Sequence, residues 1–175
     1  MEFNLVVIHE PGPDNYGWAR NQVRQILGGD IVFISAYQSV ILYKVPMNPH
    51  EAANIIRKRL RGTSTPIIRV IPVDYVTNPI IDEVIEAVKK LVPKIGNNET
   101  FRITLEGHLM KVNEDGSLVR MHTIDAIREI AKFVNRKVDL KNPSWVIYIR
   151  VVRYMKVNRK ATVSLVKPEE IARII

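Results

Sequence analysis

Between residues 81 and 92 the apolar side chains Ile81, Val84, Ile85, Val88 and Val92 recur at the spacing of an amphipathic helix, whereas residues 101–105 alternate as a strand does. The same two periods divide the first 77 residues into strand, helix, strand, strand, helix, strand. Residues 5–8 form a short apolar run of strand length. Asp14 or Asn15 is placed to cap a helix with Ala19, Val23, Ile26 and Leu27 on its apolar side, which Gly28-Gly29 ends. Runs 31–34 and 40–45 are β-rich, and the connection 35–39 between them has hairpin length. Asn48-Pro49-His50-Glu51 carries a full start signal: an Asn cap, Pro at the first helical position and Glu three residues after the cap. Gly62 stops that helix, and residues 66–76 supply a last strand. The βαββαβ order predicts a split-βαβ, ferredoxin-like unit over residues 1–77.

A second region, 78–175, opens with Asn78-Pro79, read as another cap and start, with Asp82 and Glu83 where a helix dipole favours acids. Pro93 and Gly96 close the helix. Asn113-Glu-Asp-Gly-Ser117 is a turn between runs 109–112 and 118–121, which predicts a projecting hairpin. Thr123 is expected to cap a helix to Asn135 with Ile127, Ile130, Ala131 and Val134 inward. Residues 145–152 are nearly continuously apolar, as a strand covered on both faces would be. Residues 161–166 form a further strand, and Pro168-Glu-Glu starts a last short helix. The architecture expected is mixed α+β and α/β, with the 1–77 unit packed against an α/β domain at 78–175.

Charge changes this picture. From Arg128 to Lys160 there are ten Lys and Arg against two acids, Glu129 and Asp139, an excess that equals the formal net charge of +8 of the whole chain. A basic excess confined to one region is the electrostatic footprint expected of a protein that meets a phosphate backbone. The run Arg57-Lys-Arg-Leu-Arg61 is a second basic segment, read as a solvated helix face. The chain has no cysteine, which excludes disulfides, thiolate metal sites and cysteine nucleophiles and suits a reducing compartment. No apolar run reaches the length of a membrane span, and the N-terminal one is too short for a signal peptide, so a cytoplasmic protein without a membrane partner is expected.

Phe101-Arg-Ile-Thr-Leu, the helix after Thr123, and above all Val138-Asp-Leu-Lys-Asn-Pro-Ser-Trp-Val-Ile-Tyr-Ile149 resemble the THUMP domain, an RNA-binding module of RNA-modifying enzymes. The resemblance covers roughly residues 78–166 and implies that the unit before it is the ferredoxin-like companion common in that family. Ser144 stands where family members often carry an acid, and the Gly107–His122 hairpin is a second departure, so residue carry-over is safest for Arg136 to Arg150 and poorest for Lys111 and Arg120. Most THUMP proteins join the module to a catalytic domain, and none of the corresponding motifs is legible here. Gly28-Gly29 lies at a helix end and not in a nucleotide-binding turn. A pyrophosphate-binding Ser-Gly-Gly loop is absent, and a zinc deaminase would need cysteine ligands. The chain is therefore similar to the short THUMP proteins that act as tRNA-binding adaptors for RNA cytidine acetyltransferase. In that system the partner makes N4-acetylcytidine, and the adaptor is not an enzyme and holds no cofactor.

The candidate RNA-binding residues are Arg102, Arg128, Lys132, Arg136, Lys137, Lys141, Arg150, Arg153, Lys156, Arg159 and Lys160. Arg128 and Lys132 fall one turn apart on one helix flank. Arg136 and Lys137 follow the helix and also suit the negative end of its dipole. Arg153, Lys156, Arg159 and Lys160 sit on a basic hairpin tip, where Tyr154 either packs or stacks on a base. His9, His50, His108 and His122 show no metal-ligand spacing and are read as surface or hydrogen-bonding residues. Competing readings are a small RNA-processing enzyme and an RNA-binding subunit of a ribonucleoprotein or of another RNA-modifying enzyme.

Overall fold

The computed structural model describes residues 1–174; Ile175, the last residue of the expected second domain, lies outside them. The chain divides into two compact units. One contains residues 1–74, 153–158 and 169–174, and the other residues 75–152 and 159–168. This differs from a single cut after residue 77. The chain crosses between the units several times, and the reason lies in long-range hydrogen bonds.

In the first unit β1 (Leu5–His9), α1 (Pro13–Leu27), β2 (Val32–Tyr37), β3 (Val40–Lys44), α2 (Pro49–Leu60) and β4 (Ile67–Pro72) follow one another in the βαββαβ order expected. The sheet order is β2-β3-β1-β4, with antiparallel pairing throughout. Alternation sends Leu5 and Val7 of β1 toward Ala19 and Val23 of α1 and Ala53 and Ile56 of α2. The β2–β3 turn is tighter than expected, because Gln38 (φ 39°) and Ser39 (φ 65°) take the left-handed backbone that two-residue hairpins use. Asn4 ties the sheet at one end: its Nδ2 donates to Val45 O at 3.0 Å, and its Oδ1 accepts from Val45 N at 2.8 Å.

Helix starts depart from expectation where proline intervenes. Neither Asp14 nor Asn15 caps α1; Pro13 occupies the first turn, where its missing N–H costs nothing, and Gly12 at φ 118° takes the cap position. Asn48 does cap α2, accepting from His50 N and Glu51 N. The basic run on α2 is not wholly solvated. Arg57 is 7% exposed and donates to Val70 O and Glu170 O, each at 3.0 Å. Helical period places it beside Ala53 and Leu60, so its position on the buried face was implicit in the sequence. The C-terminal residues are held by this unit too, since Arg69 Nε donates to Ile171 O and Ile174 N to Ile68 O. The short helix expected at Pro168 is a 3₁₀ turn, Pro168–Ile171.

The strand expected over 66–76 is two strands in different sheets. After β4 ends, β5 (Tyr75–Thr77) joins the second unit as an edge strand of its sheet. There follow α3 (Ile81–Leu91) with a 3₁₀ turn (Val92–Lys94), β6 (Thr100–Glu106), β7 (Met110–Val112), β8 (Leu118–Arg120), α4 (Thr123–Ala131), β9 (Lys137–Val138), β10 (Trp145–Tyr154) and β11 (Asn158–Val166). The five-stranded order is β5-β11-β10-β6-β9, with β6 parallel to both β10 and β9. The apolar run after Pro143 is thus the central strand. Phe101, Ile103, Ile147, Ile149, Ala161 and Val163 form one core with α3 and α4.

Neither α3 nor α4 carries the side-chain cap expected at Asn78 or Thr123. α3 begins two residues after Pro79, and Glu83 reaches back to Asn78 N and Nδ2 at 3.2 and 3.3 Å. α4 stops at Ala131, short of Asn135. The Asn113–Ser117 turn joins β7 and β8 into the expected hairpin, closed by Asp115 Oδ1 accepting from Ser117 N and Oγ.

Glu99 fastens the approach to β6. Its Oε1 accepts from Trp145 Nε1 at 3.0 Å and Gly96 N at 2.7 Å, and these bonds, that of Trp145 foremost, lower its pKa from the ordinary 4.5. Because the folded value lies below the unfolded one, the stability Glu99 contributes is present above pH 4.5 and is lost as pH falls through the folded value. We expect Glu99→Gln to be less stable than the parent near neutrality, with the gap closing as pH falls below 4.5 in urea unfolding. A gap that stays constant as pH falls would refute the carboxylate's role.

Candidate nucleic-acid interface

The strand period of two decides where the basic side chains of the second sheet point. In the parallel β6–β10 register, Trp145 pairs with Phe101, Ile147 with Ile103 and Ile149 with Leu105, and this set faces α3 and α4. The intervening residues, Arg102, Thr104, Glu106, Val146, Tyr148 and Arg150, therefore face the opposite side, where Val146 and Tyr148 are buried. Lys137 on β9 is in register with Thr100 and shares that side. Arg102 Nη1 donates to Leu140 O at 3.3 Å, and Arg150 Nη1 to Tyr148 Oη at 3.2 Å. Each guanidinium is steadied by one neutral acceptor and keeps donors for another group.

The loop after β9 is shaped by Asp139, whose Oδ1 accepts from Lys141 N at 3.1 Å and Asn142 N at 3.0 Å. This leaves Lys137, Leu140, Lys141 and Asn142 exposed beside the edge strand. Ser144 serves the backbone: its Oγ accepts from Thr100 N at 3.1 Å, and its own N donates to Thr100 Oγ1 at 2.9 Å.

On the helical side, α3, α4 and the β7–β8 hairpin enclose a groove of about 600 Å³. Arg128 and Lys132 line it as α4 predicted, joined by Lys111 and Arg120 of the hairpin, which the sequence argument set aside. The turn signal at Asn113–Ser117 located the hairpin; only tertiary packing brings its cations to α4. Asp82, Asp125 and Glu129 share the groove, and Glu129 Oε1 accepts from Lys132 Nζ at 2.7 Å. The pair is exposed to solvent, which screens it, so a phosphate can compete for Lys132.

The rest of the basic run is dispersed. Arg136 is committed to structure: Nε donates to Ile95 O at 2.9 Å, Nη2 to Val92 O at 3.4 Å and Nη1 to Asn135 O at 3.1 Å. Two of these carbonyls, Val92 O and Ile95 O, lie at the 3₁₀ turn that follows α3, and the third is that of the neighbouring Asn135, so none belongs to α4 as the dipole reading had it. Lys160 Nζ donates to Asn78 Oδ1 at 3.2 Å, while Arg159 is exposed. Arg153 and Lys156 belong to the first unit, where the Arg153 guanidinium lies 4.9 Å from the Tyr37 ring centroid. Tyr154 stacks on Phe3 at 6.0 Å, which is the packing role. A footprint continuous in sequence is therefore not one patch.

The histidines divide as well. His9 is buried, with Nδ1 2.6 Å from Glu10 O, and His50 Nε2 lies 2.7 Å from Asp74 Oδ1; His108 and His122 are exposed. Among the described residues no three His, Cys, Asp or Glu cluster as metal ligands would, and no helix is long and apolar enough to cross a membrane.

The sheet and the helices covering one of its faces are those of a known RNA-modification module. The sequence pattern of the THUMP domain matches residues 79–166, from the approach to α3 through the end of β11, and the chain belongs to the THUMP-domain family. No curated protein matches it significantly by sequence. Among solved structures, PH1313 from Pyrococcus horikoshii Ot3 superposes with a TM-score of 0.64 at 15% identity, over 94% of this chain and 55% of that one. A 4-thiouridine synthetase in complex with RNA and ATP gives 0.53 at 12%, over 95% and 42%. TrmN from Thermus thermophilus gives 0.55 at 11%, over 93% and 45%. At these identities the likeness is one of fold, and the chain spans about half the length of these proteins.

Arg136 and its neighbour Lys137 make a clean test of structural against free charge. Arg136→Ala leaves backbone carbonyls of the α3 terminus without their donor and should lower unfolding stability by about 1–3 kcal/mol. Lys137→Ala should change it by less than about 0.5 kcal/mol. Chemical denaturation of both variants decides the matter, and equal effects would reassign Arg136 to the surface.

Proposed function

We propose that this protein is a non-catalytic, cytoplasmic tRNA-binding adaptor that presents tRNA to an RNA cytidine acetyltransferase for N4-acetylcytidine formation. The observation that carries the reading is the THUMP domain at residues 79–166, on which Arg102, Lys137, Lys141 and Arg150 gather around β6, β9 and β10. Phosphates would give affinity there, and discrimination would come from RNA shape, unpaired ends and 2′-hydroxyls. The first unit, with its βαββαβ order and β2-β3-β1-β4 sheet, is read as the ferredoxin-like companion of the module. The groove with Lys111, Arg120, Arg128 and Lys132 is a second basic element on the helical side.

A second reading is an RNA-binding part that serves other modification chemistry. It is favoured by the superposition of nearly the whole chain on portions of a 4-thiouridine synthetase and of TrmN. Purified protein incubated with tRNA separates these readings from an enzyme. Nucleoside analysis should show no modified base from the protein alone, and N4-acetylcytidine only after an RNA cytidine acetyltransferase, acetyl-CoA and ATP are added. A base altered by the protein unaided would overturn the adaptor reading.

Binding should also be electrostatic. With about four to six phosphates contacted, log K should fall with log salt at a slope of about −3 to −5. Lys137→Glu with Lys141→Glu, and Arg128→Glu with Lys132→Glu, should each weaken tRNA binding by about tenfold or more and flatten that slope. Lys58→Glu with Arg61→Glu, both exposed on the first unit, is the matched control and should cost less. A salt-independent affinity would direct attention to a protein ligand.

A further inference from the structure

A cavity of about 980 Å³ opens in the first unit where β1 gives way to α1, alongside the edge strand β2. His9 and Gly12 line it at that junction, Tyr16, Phe33 and Tyr37 supply aromatic surface, and Lys156 adds a cation. His9 is 3% exposed, and its Nδ1 lies 2.6 Å from Glu10 O. A carbonyl only accepts, so Nδ1 carries the hydrogen of that bond. Nε2 is left with no partner among the described residues, and it is not sealed from solvent. The fold buries this ring yet uses one of its two nitrogens.

The start of α1 is likewise unanswered. No side chain caps this 15-residue helix, and Gly12 at the cap position has none to offer. Asp14 stands in the first turn but does not line the cavity. The positive end of the helix dipole therefore meets the cavity beside His9, a place that favours an anion. No Asp or Glu lines the cavity, and its lining carries Lys156, which is exposed. Phe33 is apolar yet 37% exposed, with the Arg20 guanidinium 4.0 Å from its ring centroid. Cavities that enclose whole small molecules run to about 300–1,000 Å³, which this one matches. We propose that this cavity binds one nucleotide. Its phosphate meets the start of α1 with Lys156 adding charge, its base lies against the aromatic rings, and His9 Nε2 accepts from a sugar hydroxyl or a base amine. Apart from Met155 and Lys156 the lining lies outside the THUMP domain, and the site stands independently of the tRNA reading.

Adenosine monophosphate titrated into the full chain tests the site, with calorimetry and ³¹P line broadening as readouts. It should bind saturably and more tightly, by about tenfold or more, than adenosine or ribose 5-phosphate, each of which lacks one of the two anchors. The ¹⁵N resonance of His9 Nε2 should shift with the same saturation curve, a readout that needs no substitution in the buried ring. Phe33→Leu removes the ring but keeps an apolar side chain, and Lys156→Ala alters an exposed residue; circular dichroism checks that both fold. Each should weaken the binding by about fivefold or more. No saturable binding, equal affinity for the two fragments, an unmoved His9 resonance, or folded variants that titrate like the parent would overturn the proposal. Competition then names the source of the nucleotide. Displacement by a short single-stranded RNA without a terminal phosphate assigns a nucleotide within an RNA strand. An RNA that leaves the monophosphate bound assigns a free mononucleotide, and both results retain the site.

Discussion

The parallel pairing of β6 with β10 is the constraint from which the second unit follows. Parallel neighbours cannot be joined by a tight turn, so the chain must leave the end of β6 and return before β10 begins. The β7–β8 hairpin, α4 and β9 fill that interval. The register then decides which side chains belong to the core: Ile103 and Ile147 go under α3 and α4, while Arg102 and Arg150 are turned away. A slip of one residue would exchange the two sets and bury the arginines. The fold and the candidate interface thus rest on the same alternation.

Cations in this protein serve two distinct ends. Arg57 and Arg136 satisfy backbone carbonyls and hold segments far apart in sequence, Arg57 at the C-terminal segment and Arg136 at the end of α3. Lys137, Lys141, Arg128 and Arg159 remain exposed. Counting charge along the chain does not separate these groups, because both look identical in a one-dimensional tally. What separates them is whether an unpaired carbonyl lies within reach, which is a property of the folded chain. Arg20 is a third case, answered by the phenol of Tyr16 and the ring face of Phe33 and not by a carbonyl or carboxylate.

The functional reading draws on both levels. Family membership comes from the linear pattern centred on the Val-Asp-Leu-Lys-Asn-Pro run, and the structure explains that pattern. Asp139 shapes the turn through the amides of Lys141 and Asn142, and Trp145 begins the central strand while its Nε1 is held by Glu99. The basic groups then lie on two sides of one module, with others in the first unit.

By itself the sequence determined most of the elements and their order, because helix and strand periods, the Asn48 cap and the Asn113–Ser117 turn are local properties read within a few residues. It also determined the central strand, since only a strand covered on both faces is apolar over most of its length. Tertiary structure decided what depends on distant partners. It split residues 67–77 between two sheets, because β5 finds its hydrogen bonds on β11 and not beside β1. It returned the C-terminal segment to the first unit through Arg57 and Arg69, and brought Lys111 and Arg120 to α4. Periodicity tells a side chain which face of its own element it occupies; which element lies opposite is settled only when the chain closes on itself.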